Sequence, residues 1–154
     1  MTTPIGALFG RGAQGLPPPE PVEFDRLVLP RSPNTCLAAP AGAHPGAHLT
    51  VPPLPVDAAT AWPVLRRLGE RLPRTTPLGE WPERRQAQWV ERSALANFPD
   101  VIAAELRPGP GGGSGGGAGL FLYSRSLFGW SDLGANRQRV EAWLAALDAA
   151  LRRG

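Results

Sequence analysis

The groups in this chain best placed to do chemistry are concentrated in one stretch, SRSLFGWSDLGANRQRVEAW, from Ser124 to Trp143. On a helix, at about 100° per residue, Asp132, Asn136, Arg139 and Trp143 fall within roughly 60° of one another. That polar stripe flanks a stripe of Leu and Val, so it lies where core meets water and its groups need partners. Ser124, Arg125 and Ser126, at the end of the strand that precedes the helix, are candidate partners, and Asp100 of the NFPD turn is another. Two roles are open to these groups. As a ligand site, Arg125 and Arg139 meet an anionic group while Asn136 orients it. As a lock, Ser131 or Asp132 caps the helix and the arginines pair with Asp100 and Asp132 to hold helix to sheet. No His or Cys lies in the stretch to act as base or nucleophile, so no catalytic residue is assigned. An enzyme would need Asp100 or Asp132 to have a raised pKa beside a cleft.

Elsewhere the chemistry is sparse. His44 and His48 are four apart, a spacing that suits a metal on a helix, but Pro45 and Gly46 between them deny the helix, and only Cys36 is near in sequence. No metal or cofactor is expected. The run PGPGGGSGGGAG, Pro108 to Gly119, lacks the Gly-Lys-Ser/Thr ending and the following helix of a phosphate-cradling loop, and it reads as a flexible connection.

The elements that must position these residues fit one domain, since 154 residues leave little room for two. Twelve of the 19 prolines fall at or before Pro55 and eight of the 19 glycines lie between Gly109 and Gly119, so the remainder has an ordinary globular composition. All 16 basic residues are Arg, against 13 acidic ones. The Arg doublets have acidic neighbours or sit at a helix end, rather than clustering as nucleic-acid binders require, so no nucleic-acid partner is expected. A lone Cys36 forms no internal disulfide, and the sequence carries neither a signal peptide nor a membrane-spanning run, which predicts a soluble, cytoplasmic protein.

Residues 1–21 read as a flexible Pro/Gly-rich arm, and 22–154 as a single domain. Met1 to Leu16 and the Gly109 to Gly119 loop are expected to be dispensable for folding. Val22 to Ala47 is irregular but carries Phe24, Leu27, Val28 and Leu29, which could dock it as a strap. His48 to Leu54 predicts a short strand that its paired prolines confine to an edge or a strand end. Trp62, Leu65, Leu68 and Leu72 predict a helix capped by Thr60, with Pro63 in the first turn and Pro73 ending it. Strands are expected over Arg74 to Trp81, weakened by Pro77, and over Arg84 to Ala94, Val101 to Arg107 and Leu120 to Leu127. Leu133, Val140, Leu144, Leu147 and Leu151 mark a final helix that begins at Ser131 or Asp132. The order is strand, helix, four strands, helix: an α+β fold with both helices on one face of an antiparallel sheet, the other face open or covered by the strap.

The Ser124 to Trp143 stretch resembles the carboxy-terminal signature of DUF1499, a bacterial and plastid family of unknown function, with Gly129, Ser131, Asp132, Gly134, Asn136, Arg139 and Val140 at matching positions. NFPD is similar to the family's Phe-x-Asp turn, Ser32 to Asn34 to its Ser-Pro-Asn entry, and the Trp62 helix ending in LPRT to its first helix. Many members place Cys directly after Pro-Asn, whereas Thr35 intervenes here, so no role for Cys36 carries over. The Gly-rich loop replaces a shorter hairpin. The resemblance implies a fold and brings no reaction. The leading expectation is therefore a non-catalytic module that binds a small, anionic ligand at the strand-helix corner. A structural or protein-partner module using Phe121 and Tyr123 on an open sheet face comes second, and a small enzyme with an Asp-based site third.

Overall fold

Alternating apolar and polar residues over four successive segments dictate a sheet, and the two helical stripes must be buried against it. The computed structural model describes residues 5–109 and 117–153, so the middle of the expected Gly-rich loop lies outside the described residues. Six strands form one sheet: β1 (Thr35–Ala39), β2 (Leu49–Thr50), β3 (Thr75–Trp81), β4 (Gln86–Arg92), β5 (Pro99–Arg107) and β6 (Gly119–Ser126), in the order β2-β1-β6-β5-β4-β3. Neighbours pair antiparallel except β1 with β2, which run parallel. Helices α1 (Ala58–Arg71) and α2 (Ala135–Arg153) share one hydrophobic core with a single face of the sheet. The class is α+β, as the sequence predicts, with one strand more than expected.

That extra strand is β1, which lies in the stretch read as irregular. Its run Cys36 to Ala39 is wholly buried, with antiparallel β6 on one side and parallel β2 on the other. The prolines sit where a missing N–H is tolerated: edge strand β2 leads into Pro52 and Pro53, edge strand β3 shifts register between Pro77 and Gly79, and Pro99 is the first residue of central β5. Helix α1 starts earlier than expected. Asp57, not Thr60, is its cap, accepting the Thr60 N–H at 2.8 Å, so Pro63 lies beyond the first turn. At Gly69 the helix comes so close to β4 that an added Cβ would stand 2.1 Å from the Trp89 indole nitrogen, and only glycine fits there.

Helix α2 starts later than its apolar spacing suggests. Leu133 lies before it with a φ of 54° and is 94% exposed, so it seals nothing. The buried side is Asn136, Val140, Trp143, Leu147 and Leu151, with Leu144 partly buried at the margin. Trp143 therefore belongs to the core, its ring centroid 4.9 Å from that of Trp89.

The other face of the sheet is covered. Phe24 packs on Phe121, with ring centroids 5.1 Å apart, in a second core that includes Leu37, Ala39, Ala103 and Tyr123. Gln86 and Gln88 hold the covering segment by its backbone at Val22 and Glu20, and Arg84 and Arg107 pair with Glu23 and Asp25. Residues 7–21, expected to form a flexible arm, lie against the domain instead. Ala7 is buried, and the Arg92 guanidinium donates to the carbonyls of Ala7, Gly12 and Gln14, while the Asn97 amide donates to Leu8 and Gly10. The aromatic face that might have received a partner is thus filled by the chain's own amino-terminal segment. No helix among the described residues is long and apolar enough to cross a membrane.

Candidate functional site

Strand alternation decides which polar groups meet. Ser124 and Ser126 extend the Leu120 and Leu122 side of β6 toward the helices, and they reach Asn136 at the start of α2. Arg125 projects to the opposite face, beside Tyr123 and across from Thr35 and Val101. It therefore does not join the corner in which the sequence placed it.

Asn136 is the hub and is fully buried. Its Oδ1 accepts from the Ser124 hydroxyl and from Arg139 Nη1 at 2.9 Å. Its Nδ2 shares two hydrogens among Asn34 O, Ser126 Oγ and Asp132 Oδ2, at 2.9, 2.7 and 2.6 Å. Arg139, whose side chain is 9% exposed, reaches across to the sheet, with Nε on Glu91 at 2.6 Å and Nη1 on Asp100 at 2.8 Å. Asp132 takes the Gly134 and Asn136 N–H groups with its two carboxylate oxygens, which satisfies the first amides of α2. Asp100, Ser124, Ser126, Asp132, Asn136 and Arg139 thus come together as the spacing predicts, although Asp132 faces Asn136 rather than an arginine.

The two aspartates are perturbed in opposite senses. Burial raises the Asp100 carboxyl above its ordinary value and outweighs the attraction of Arg139 and the hydrogen bond from Ser126. Burial is also the largest single influence on Asp132 and would raise it, but the hydrogen bonds from the Asn136 side chain, the Asn136 amide and the Gly134 amide together hold it below the usual value. Both carboxylates are engaged: Asp100 is paired with Arg139, and Asp132 accepts from the amides at the start of the helix.

Two members of the network escaped the sequence. Glu91 had a usable signal, because it alternates with Trp89 on the helix-facing side of β4 and pairs in register with Asp100. Asn34 was noted in the Ser-Pro-Asn entry but given no role. Its carbonyl accepts from Asn136, its Nδ2 donates to Gly129 O at 2.8 Å, and its Oδ1 accepts from Ser32. It ties the entry of β1 to the loop before α2 through Gly129, 95 residues on, and to α2 itself through Asn136, 102 residues on. The two histidines are pins: His44 Nε2 meets Leu27 O, and His48 Nδ1 accepts the Leu37 N–H.

A second polar feature occupies the same end of the sheet. Arg11, Arg74 and Arg92 surround a cleft of about 310 Å³ together with Gly12, Thr75, Thr76, Ser93, Ala94 and Asn97. No carboxylate lines it among the described residues. The sequence could not have shown it, because Arg11 comes from a segment read as an arm and Arg74 and Arg92 from two strand ends.

No curated protein matches the chain. A family described as "Protein of unknown function (DUF1499)" matches residues 28–147. That span takes in all six strands, α1, α2 as far as Leu147 and every residue of the corner, while Arg11 and Gly12 of the cleft lie outside it. With the greater part of its length matched, the chain belongs to the DUF1499 family.

Proposed function

We propose that this chain is a non-catalytic module that binds a small anionic ligand at the end of the sheet where the corner and the arginine cleft lie. The observation that carries this reading is the cleft, which three arginines line with no carboxylate among the described lining residues. Anions are the natural occupants of such a site. The corner serves it as a brace. Glu91 and Asp100 are committed to Arg139 and Asp132 to the start of the helix, which fixes the loop before α2. A cytoplasmic setting suits the buried, unpaired Cys36 thiol.

A second reading rests on apolar side chains at the same end. Leu95, Phe98, Trp130 and Leu133 are exposed on the loops that follow β4 and β6, and Phe98 stacks on Phe128 with centroids 6.4 Å apart. A protein partner would use these loops, since the sheet face with Phe121 and Tyr123 is already covered.

Thermal denaturation with a panel of anionic and neutral metabolites tests the first reading. At least one anion should raise the melting temperature of the parent. Asn136→Ala should cost about 2–3 kcal/mol by leaving Ser124, Arg139 and Asn34 without their partner, yet keep the ligand-induced rise. If no anion stabilises the parent, the binding-module reading fails.

A further inference from the structure

Building on the anion-binding reading, we infer that the arginine cleft recognises the dianionic phosphate of a phosphate monoester.

Arg92 points to a missing anion. It is 5% exposed, and its guanidinium donates to four backbone carbonyls, those of Ala7, Gly12, Gln14 and Asn97. Carbonyls satisfy hydrogen-bonding capacity but do not cancel a formal charge, and a buried cation without a counter-ion is costly. Burial accordingly lowers the Arg92 pKa. An anion in the adjoining cleft supplies the absent charge.

The remaining donors suit phosphate. Arg74, held at a φ of 54°, places its Nε on Arg92 O at 3.0 Å, and its two Nη groups make no hydrogen bond among the described residues. That leaves the flat fork that grips a phosphate through two oxygens. The Arg11 guanidinium is likewise uncommitted among the described residues, because the hydrogen bond at that position uses its backbone N–H. Ser93 Oγ accepts from the Phe98 amide, so its own proton remains available to an acceptor. Three cations without an acid match a dianion with three terminal oxygens better than a carboxylate with two. The cleft is open to solvent and at the small end of ligand sites, which suits a headgroup rather than a large cofactor. Exposed apolar residues stand next in sequence to residues that line or brace it. Leu95 follows the lining residue Ala94 and is 102% exposed, and Phe9, 83% exposed, lies between Leu8 and Gly10, whose carbonyls hold Asn97. These are suited to meet the organic part of an ester, whether it is a soluble metabolite or a lipid headgroup.

Calorimetric titration of the full chain with phenyl phosphate, inorganic phosphate, benzoate, and vesicles with or without phosphatidic acid provides the test. Phenyl phosphate should bind more tightly than inorganic phosphate and benzoate, and weaken as pH falls through the second phosphate ionisation near about 6. Arg11→Gln and Arg74→Gln, both at exposed positions, should each weaken it at least about tenfold, the order expected for a charged hydrogen bond, whereas Arg125→Gln, on β6 two strands away from β4 and outside the cleft lining, should not. Binding only to phosphatidic acid vesicles, with the same loss in both variants, assigns the phosphate to a lipid. Undiminished phenyl phosphate binding in both variants, or tighter binding of benzoate, overturns the assignment while leaving the module an anion binder. Failure of every anion to bind overturns the anion-binding reading as well.

Discussion

Asp132 and Asp100 have the same side chain and lie in the same corner, yet they should respond to acid with opposite signs. Asp132 is held below its ordinary pKa, so the stability it confers is present above the unfolded value, near about 4, and is lost as pH falls through the folded value. Asp100 is raised, so its contribution is present below the unfolded value and is lost as pH climbs through the folded one. Denaturant unfolding between about pH 3 and 6 reads this directly. The advantage of the parent over Asp132→Ala should shrink as the solution is acidified. Relative to Asp100→Asn, the parent should lose stability as pH rises through the same range. Parallel curves for the two variants would show that neither shift is coupled to folding. Of these residues, the sequence located all but Glu91 and Asn34. Arg125 does not join them because successive residues of a strand point to opposite faces, so of the strand-end trio Ser124, Arg125 and Ser126 only the serines face the helix.

At the scale of elements, α2 shows how an apolar spacing can be right in kind and shifted in position. Leu133 matches the period of Val140, Leu144, Leu147 and Leu151, but its φ of 54° places it in the turn that Gly129 and Gly134 bracket, not in the helix. Once the helix begins at Ala135, the inward side is set by Asn136, which the sheet fixes through Ser124 and Ser126, and Trp143 turns into the core. Leu147→Ala should therefore cost about 2–5 kcal/mol. Leu133→Ala should change stability by less than about 0.5 kcal/mol, since it removes only exposed surface. Equal costs in chemical denaturation would place Leu133 in the core and move the helix start back to Asp132. The four later strands were legible from their length, seven to nine residues, and from apolar residues two apart, as at Ile102, Ala104 and Leu106. Strand β1 was not, because it is short, fully buried and set in a stretch where proline and glycine blur any period.

The described molecule is a sheet covered on both faces, by helices on one side and by residues 7–29 on the other. Sequence reasoning gave that amino-terminal segment its two possible states, open face or strap, but it could not weigh them. The groups that hold the segment, Gln86, Gln88, Arg84, Arg92 and Arg107, are polar residues scattered over β4, β5 and the turn before β4, with no pattern of their own. The same anchors bear on whether residues 1–16 can be removed. Composition alone makes them dispensable. Their carbonyls, however, receive the Arg92 and Asn97 donors, and Ala7 is buried beneath them. Deleting residues 1–16 re-exposes a guanidinium and an amide whose hydrogen bonds each contribute on the order of 1 kcal/mol after the ordering of the segment is offset in part. A net loss of about 2 kcal/mol follows, which for a chain of this size lowers the melting temperature by roughly 4–8 °C. Differential scanning calorimetry of the truncated chain measures it. A melting temperature unchanged within about a degree would mean that the docked segment contributes no net stability. The cleft would then have to be formed by Arg74 and Arg92 alone, with Arg11 brought to it only by the ligand.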